Sequence, residues 1–117
     1  MKENVIKEKS YEFALLIVPL GRRLQEQREY VLSRQLMKSG TSIGANVEEA
    51  QAAQSRADFL SKMSIALKEA RESNYWLRVL RDCGEFPSFR FDQFVDSSAE
   101  LVRILTSIVK TTGESEG

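Results

Sequence analysis

Residues 35–50 read QLMKSGTSIGANVEEA, and the spacing of their apolar and small side chains decides the fold class. One seam recurs at steps of three and four along this stretch: Leu36, Gly40, Ile43, Val47 and Ala50. Such steps place side chains on the same face of an α-helix. The stretch therefore predicts a helix with one buried face that covers about residues 29–53.

Two glycines, Gly40 and Gly44, lie one turn apart inside this predicted helix. A glycine in a helix interior costs roughly 1 kcal/mol relative to alanine, so its presence needs a reason. Glycine allows another backbone or side chain to come unusually close. We therefore expect Gly40 and Gly44 to mark close packing, either within the protein or between subunits.

Three further segments repeat the helical spacing on either side of this stretch. The segment after it opens with Ser55 and Asp58 in the arrangement of a capping box, and it ends near Gly84, a suitable C-terminal cap. Strand-like alternation of apolar and polar residues does not occur. The predicted helices cover residues 10–27, 29–53, 56–83 and 91–111.

The connections between the predicted helices are short, so consecutive helices must fold back on one another. The sequence predicts an all-α protein, an up-and-down antiparallel four-helix bundle. A chain of 117 residues suits one domain, which we place over residues 1–117. Residues 1–9 and 113–117 are expected to be frayed tails.

The composition narrows the classes of function. The chain has equal numbers of basic and acidic residues, so no net charge draws it to nucleic acid or membrane. It has no histidine, which removes the commonest general base and the commonest metal ligand. No phosphate loop, dinucleotide fingerprint or metal-ligand spacing occurs. We expect a protein that is not an enzyme and that holds no cofactor and no metal.

The location follows from similar observations. The single cysteine, Cys83, cannot form an intrachain disulfide, which suits a reducing compartment. The charged start of the chain does not resemble a signal peptide. The longest apolar run, residues 13–20, is far shorter than the ~20 residues that span a bilayer. We expect a cytoplasmic protein that does not enter a membrane.

A polar stripe runs beside the apolar seam of the second helix: Gln35, Ser39, Ser42, Asn46 and Glu49. The third helix offers a comparable set: Ser61, Ser64, Lys68, Glu72 and Tyr75. One interpretation is a hydrogen-bonded seam between helices or subunits, because buried polar groups need partners. A pocket for a small ligand around Asn46 and Glu49 is the alternative, and plain exposure to solvent is a third.

Five basic residues surround the first predicted turn: Arg22, Arg23, Arg28, Arg34 and Lys38. They are candidates for a patch that binds the phosphates of a nucleic acid. Glu26 and Glu29 lie among them, as is typical of an ordinary solvated surface. No element resembles a reader of bases, so we expect any binding to be weak, sensitive to salt and independent of sequence.

Two further features bear on partners. Tyr75 and Trp76 are expected to be core or interface anchors and not a stacking platform for bases, because no basic residues are closely interleaved with them.

On the fourth helix, Val95, Val102 and Val109 widen the apolar arc beyond one bundle face. That width indicates an edge that meets a second subunit.

Residues 35–50, together with residues 10–14, 58–59, 66–70 and 75–77, resemble a bacterial family of four-helix bundles. This family was first met as proteins encoded in intervening sequences of 23S ribosomal RNA genes, and it is often labelled a ribosomal protein. The resemblance implies an up-and-down bundle that assembles into a homopentameric ring, and it brings no catalytic residues.

A relative by fold is the accessory variability protein of diversity-generating retroelements, a strongly basic ring that binds a reverse transcriptase and nucleic acid. The present chain departs from that relative in being neutral. Residues and resemblance together predict an oligomeric interaction protein, a candidate scaffold for RNA, for a nucleic-acid enzyme or for another protein partner. A small-ligand-binding module is the alternative.

Overall fold

Four helices, joined by three short connections, make up the protein. The computed structural model describes the backbone of residues 2–116 and the side chains of residues 5–114, and within these residues it contains no strand. The helices are α1 (Lys2–Glu26), α2 (Tyr30–Gln51), α3 (Arg56–Asp82) and α4 (Asp92–Glu116). The prediction of an all-α four-helix chain is confirmed.

Helix α1 begins at Lys2 and not at Ser10, so the expected tail over residues 1–9 was wrong for the described part. Ile6 is completely buried, seven residues before the buried Phe13 and therefore on the same face of the helix. Packing of this one apolar side chain extends the helix by two turns in an otherwise charged segment. The helix also continues through Pro19, whose side chain is exposed.

The turn from α1 to α2 is closed by two backbone hydrogen bonds. Glu29 N–H donates to the Leu24 carbonyl and Arg28 N–H to the Gln25 carbonyl, both at 2.9 Å, which is the pattern of a Schellman motif. Arg28 takes the left-handed position with φ of 64°, where glycine is usual. Glu29 then caps α2, because its carboxylate accepts a hydrogen bond from Leu32 N–H.

Helix α3 begins and ends as the sequence indicates. The Ser55 hydroxyl accepts a hydrogen bond from Asp58 N–H at 3.0 Å, and Asp58 accepts one from Gln54 N–H. Gly84 follows the helix with φ of 76°, a conformation that glycine adopts without strain. Cys83, just before it, is exposed.

Helix α4 follows a connection rich in phenylalanine. Phe86, Phe89 and Phe91 pack edge to face or stacked, with ring centroids 5.6–6.5 Å apart. The helix continues to Glu116, past the expected end at residue 111, and the last of its side chains to pack on the core are Ile108 and Val109. The predicted tail at residues 113–117 is thus helical as far as Glu116. Met1 and Gly117 lie outside the described residues.

The helices form a ring in chain order, in which each packs against the next and α4 packs against α1. The diagonal pairs, α1 with α3 and α2 with α4, do not contact each other within the described backbone. The bundle measures 47 × 21 × 21 Å, and one apolar core runs along its axis. None of the helices is both long and apolar enough over its described residues to cross a membrane.

Candidate functional site

The outer surface of α1 carries the largest concentration of exposed apolar side chains. Tyr11 is 65% exposed and Leu15 57%, and Leu16 and Val5 are also exposed. The core-facing residues of α1 are already used within the bundle, so these four side chains have no role in its packing. Glu8 and Glu12 are exposed among them, so carboxylates interrupt the apolar surface. Exposed apolar side chains that are concentrated on one helix are typical of a site that binds another protein.

Open grooves border this surface of α1, which we call the α1 face, and one of them is lined by Tyr11 with Lys7, Glu8 and Glu48. On the α2 side, Tyr11 lines a groove of about 230 Å³ together with Ala14, Gly44 and Ala45. On the α4 side, Leu16 lines a groove of about 130 Å³. Leu15 lies between them by helical spacing. The α1 face is therefore a ridge between two open depressions, a shape that another helix can pack against.

The valines predicted to form an apolar edge on α4 lie against the core of the bundle, and a contact of this edge with a second subunit stays a prediction. Val95 is buried, and Val102 and Val109 are half-buried against the core. Because α4 packs against both α1 and α3, it needs an apolar arc wider than one contact. The additional valines are used within the bundle, and the exposed apolar surface lies on α1 instead.

Close helix packing occurs where α2 passes α1. A Cβ atom added at Gly40 would lie 2.8 Å from Ile17 Cγ2, and one added at Gly44 would lie 3.3 Å from the Ser10 carbonyl oxygen. Gly21 of α1 allows the Met37 side chain of α2 to come equally close, because a side chain at position 21 would overlap Met37. Gly21 was missed because a single glycine in α1 gives no pattern.

The polar stripe of α2 divides between the interior and the surface. The Ser73 hydroxyl of α3 donates to the Ser39 hydroxyl at 2.9 Å, and both residues are completely buried. Ser73 was not among the polar residues expected from α3, because the register between two helices cannot be derived from either one alone. Among the described side chains, every buried nitrogen and oxygen has a hydrogen-bond partner.

Asn46 and Glu49 are engaged with separate partners. The Asn46 amide donates to the Ser42 carbonyl of its own helix at 2.9 Å. The Glu49 carboxylate pairs with Lys62 of α3 at 3.0 Å, and its hydrogen bond and charge raise the pKa of Lys62. The two side chains do not converge on a shared ligand site, and this arrangement does not favour the small-ligand alternative.

The five basic candidates are all exposed, but they lie on several sides of the bundle. The Arg23 guanidinium lies 4.4 Å from the centroid of the Phe89 ring, beside the connection to α4. Lys38 faces α3, where its charge opposes the burial that raises the pKa of Glu69. Phosphate binding by Arg22, Arg23, Arg28, Arg34 and Lys38 stays a prediction.

These features define a neutral, all-α, up-and-down four-helix bundle with an exposed apolar helix face. The model of the family described as 23S rRNA-intervening sequence protein matches residues 2–107, and the chain belongs to this family. It is similar to a crystal structure, at 1.70 Å resolution, of a protein with unknown function from the S23 ribosomal protein family of Bacteroides thetaiotaomicron VPI-5482. The identity is 48% and the TM-score 0.86, over 94% of this chain and 99% of the other. No curated protein sequence matches the chain significantly.

Proposed function

We propose that this chain is a cytoplasmic, non-enzymatic interaction protein that assembles with copies of itself through the α1 face. The observation that carries this proposal is the exposure of Tyr11, Leu15 and Leu16 on one helix surface. Covering apolar surface contributes about 25 cal/mol for each Å² removed from water. A second copy of the chain is a partner that is present wherever the protein itself is present.

Electrostatics also favours self-association. The chain has zero formal net charge, so copies do not repel one another strongly. The charged residues beside the α1 face have both signs and are partly paired, as in Lys7 with Glu48 and Lys9 with Glu100. The resemblance to the family implies five copies in a ring, and this number forms part of the proposal.

The proposed role is that of a scaffold and not a catalyst. A catalytic group usually lies in a cleft with a strongly perturbed pKa, supported by a base or a metal. Here the buried polar side chains are serines that are satisfied by backbone or by one another. The family resemblance extends the proposal to a scaffold for RNA or for an enzyme that acts on nucleic acid.

Thiol accessibility tests whether the α1 face is covered. In a Cys83→Ser background, Leu15→Cys and Ile65→Cys introduce thiols at positions of α1 and α3 that are 57% and 40% exposed in one chain. We expect the thiol at position 15 to react slowly with a maleimide at high protein concentration and faster on dilution, whereas the thiol at position 65 reacts at a constant rate. Equal rates that do not depend on concentration would show that α1 is not the contact surface.

A further inference from the structure

An open groove of about 430 Å³ lies between α3 and α4 on the outer surface of the bundle. The Asn74 amide holds the two helices together beneath it, donating to the Val95 carbonyl at 3.2 Å and to the Ser98 hydroxyl at 3.0 Å. Its lining combines small or apolar side chains with arginines. The groove is lined by Arg71, Asn74, Arg78, Ala99, Val102 and Arg103.

The three arginines of this groove have no carboxylate partner among the described side chains. Arg78 is fixed in position, because its Nε donates to the Asn74 side-chain oxygen at 2.9 Å. Nearby acidic residues are engaged elsewhere: Glu72 accepts a hydrogen bond from Trp76, and Glu100 pairs with Lys9 of α1. Three arginines therefore line one groove without a direct ion pair among the described side chains, although Arg78 lies near enough to Asp82 for their charges to interact.

An exposed aromatic ring adjoins these charges. Tyr75 is 51% exposed, and it lies four residues after Arg71 and three before Arg78, so the three share one side of α3. The Arg78 guanidinium lies 5.7 Å from the centroid of the Tyr75 ring. The expectation that no basic residues are interleaved with Tyr75 was therefore wrong, although Trp76 does pack against the core as an anchor.

We propose that the α3–α4 groove binds single-stranded nucleic acid. Guanidinium groups bind phosphates through paired N–H donors, and Arg71 and Arg103 are placed to contact the backbone of the strand. Tyr75 lies beside Arg78 at the margin of the groove and not in its lining. There it supplies a surface on which an unstacked base can lie, a contact that tolerates any sequence. Tyr75 also packs against Trp76, with ring centroids 5.1 Å apart, and this contact helps to hold the ring in place. An acidic protein segment would use the arginines but not the exposed part of this ring.

This inference deepens the scaffold proposal and rests on it for the class of partner, but it uses a surface separate from the α1 face. The residues of the α3–α4 groove are also different from the five basic residues around the turn between α1 and α2. Arg71 and Arg78 are seven residues apart, about 10 Å along the axis of α3, and Arg103 reaches the same groove from α4. Residues 71–78 of α3 supply one side of the groove, and the pairing of α3 with α4 adds Arg103 to it.

The test is a fluorescence anisotropy titration with a labelled oligouridine and an oligothymidine of about 16 nucleotides, at about 50 and about 200 mM salt. We expect wild-type protein to bind both strands, more tightly at low salt. Arg71→Ala combined with Arg103→Ala should weaken binding at least about tenfold and flatten its dependence on salt. Tyr75→Ala should weaken it about 5- to 100-fold, whereas Tyr75→Phe should retain it.

The matched control is Arg22→Ala combined with Arg34→Ala, which removes two exposed arginines at the other candidate cluster and should leave most of the binding. Circular dichroism melting and mass in solution are measured for every variant, so that loss of binding is separated from loss of fold or assembly. No binding by the wild type at low salt would overturn the inference. Binding that is lost only when Arg22 and Arg34 are replaced would also overturn it. A third contrary result is binding that polyglutamate displaces as well as RNA does and that Tyr75→Ala leaves unchanged.

Discussion

Gly40→Leu is expected to lower the midpoint of thermal unfolding by roughly 10–20 °C, at matched protein concentration. Even a Cβ at this position would lie 2.8 Å from Ile17 Cγ2, and Ile17 is completely buried and β-branched, so it cannot move aside. Leucine adds three further carbons at the same point. The cost should be about 3 kcal/mol or more, above the gain of roughly 1 kcal/mol in helix propensity.

Two variants separate packing from propensity in this experiment. Gly113 is a helical glycine with nothing within 4 Å of an added Cβ, so Gly113→Ala should leave the midpoint unchanged or raise it slightly. Ile17→Ala removes the atoms that clash, so the double variant should recover part of the loss, with a coupling of about 0.5–3 kcal/mol. If Gly40→Leu melts at the wild-type temperature, close packing is not the reason for this glycine.

The second large effect is expected at the α1 face. Leu15→Glu should weaken self-association at least about 100-fold, because it removes one apolar contact and places a charge in its position. Stability of the single chain should change little, because Leu15 is 57% exposed and does not belong to the core. The measurement is sedimentation velocity over a range of concentrations.

The control for this variant is Ile65→Glu. Ile65 is also exposed and apolar, but it lies on α3, which does not contact α1 in the bundle. We expect it to assemble as the wild type does. If both variants dissociate to the same extent, the cause is a general loss of structure. If both assemble as the wild type does, the contact between copies lies elsewhere.

The sequence was sufficient for the fold because each helix carries its own seam. The seam through Leu36, Ile43 and Val47 of α2 is buried as its spacing predicts. Ser55 caps the start of α3, and Gly84 follows its end, as expected. The start of α1 was missed because Ile6 is the one buried side chain among the described residues 5–9, and the segment is otherwise rich in charge. One buried residue gives no period.

The candidate sites were harder to predict, because they depend on the register between helices. Ser39 was identified as part of a polar stripe, but its partner Ser73 could be found only from the packing of α2 against α3. The additional valines of α4 indicated a second subunit, yet they are needed inside the bundle because α4 packs on two sides. The exposed face of α1 was missed, although Tyr11 and Leu15 lie four residues apart and outside the seam of this helix.

The most direct test of self-assembly is the mass of the wild-type protein in solution, measured by sedimentation equilibrium at several concentrations. The account predicts a species larger than the 13.3 kDa chain that persists at micromolar concentration, with five copies as the expected number. It also predicts that this species dissociates when Leu15 is replaced by glutamate. A mass of 13.3 kDa at every concentration would contradict the account, because the α1 face would then have no copy of the chain to cover it.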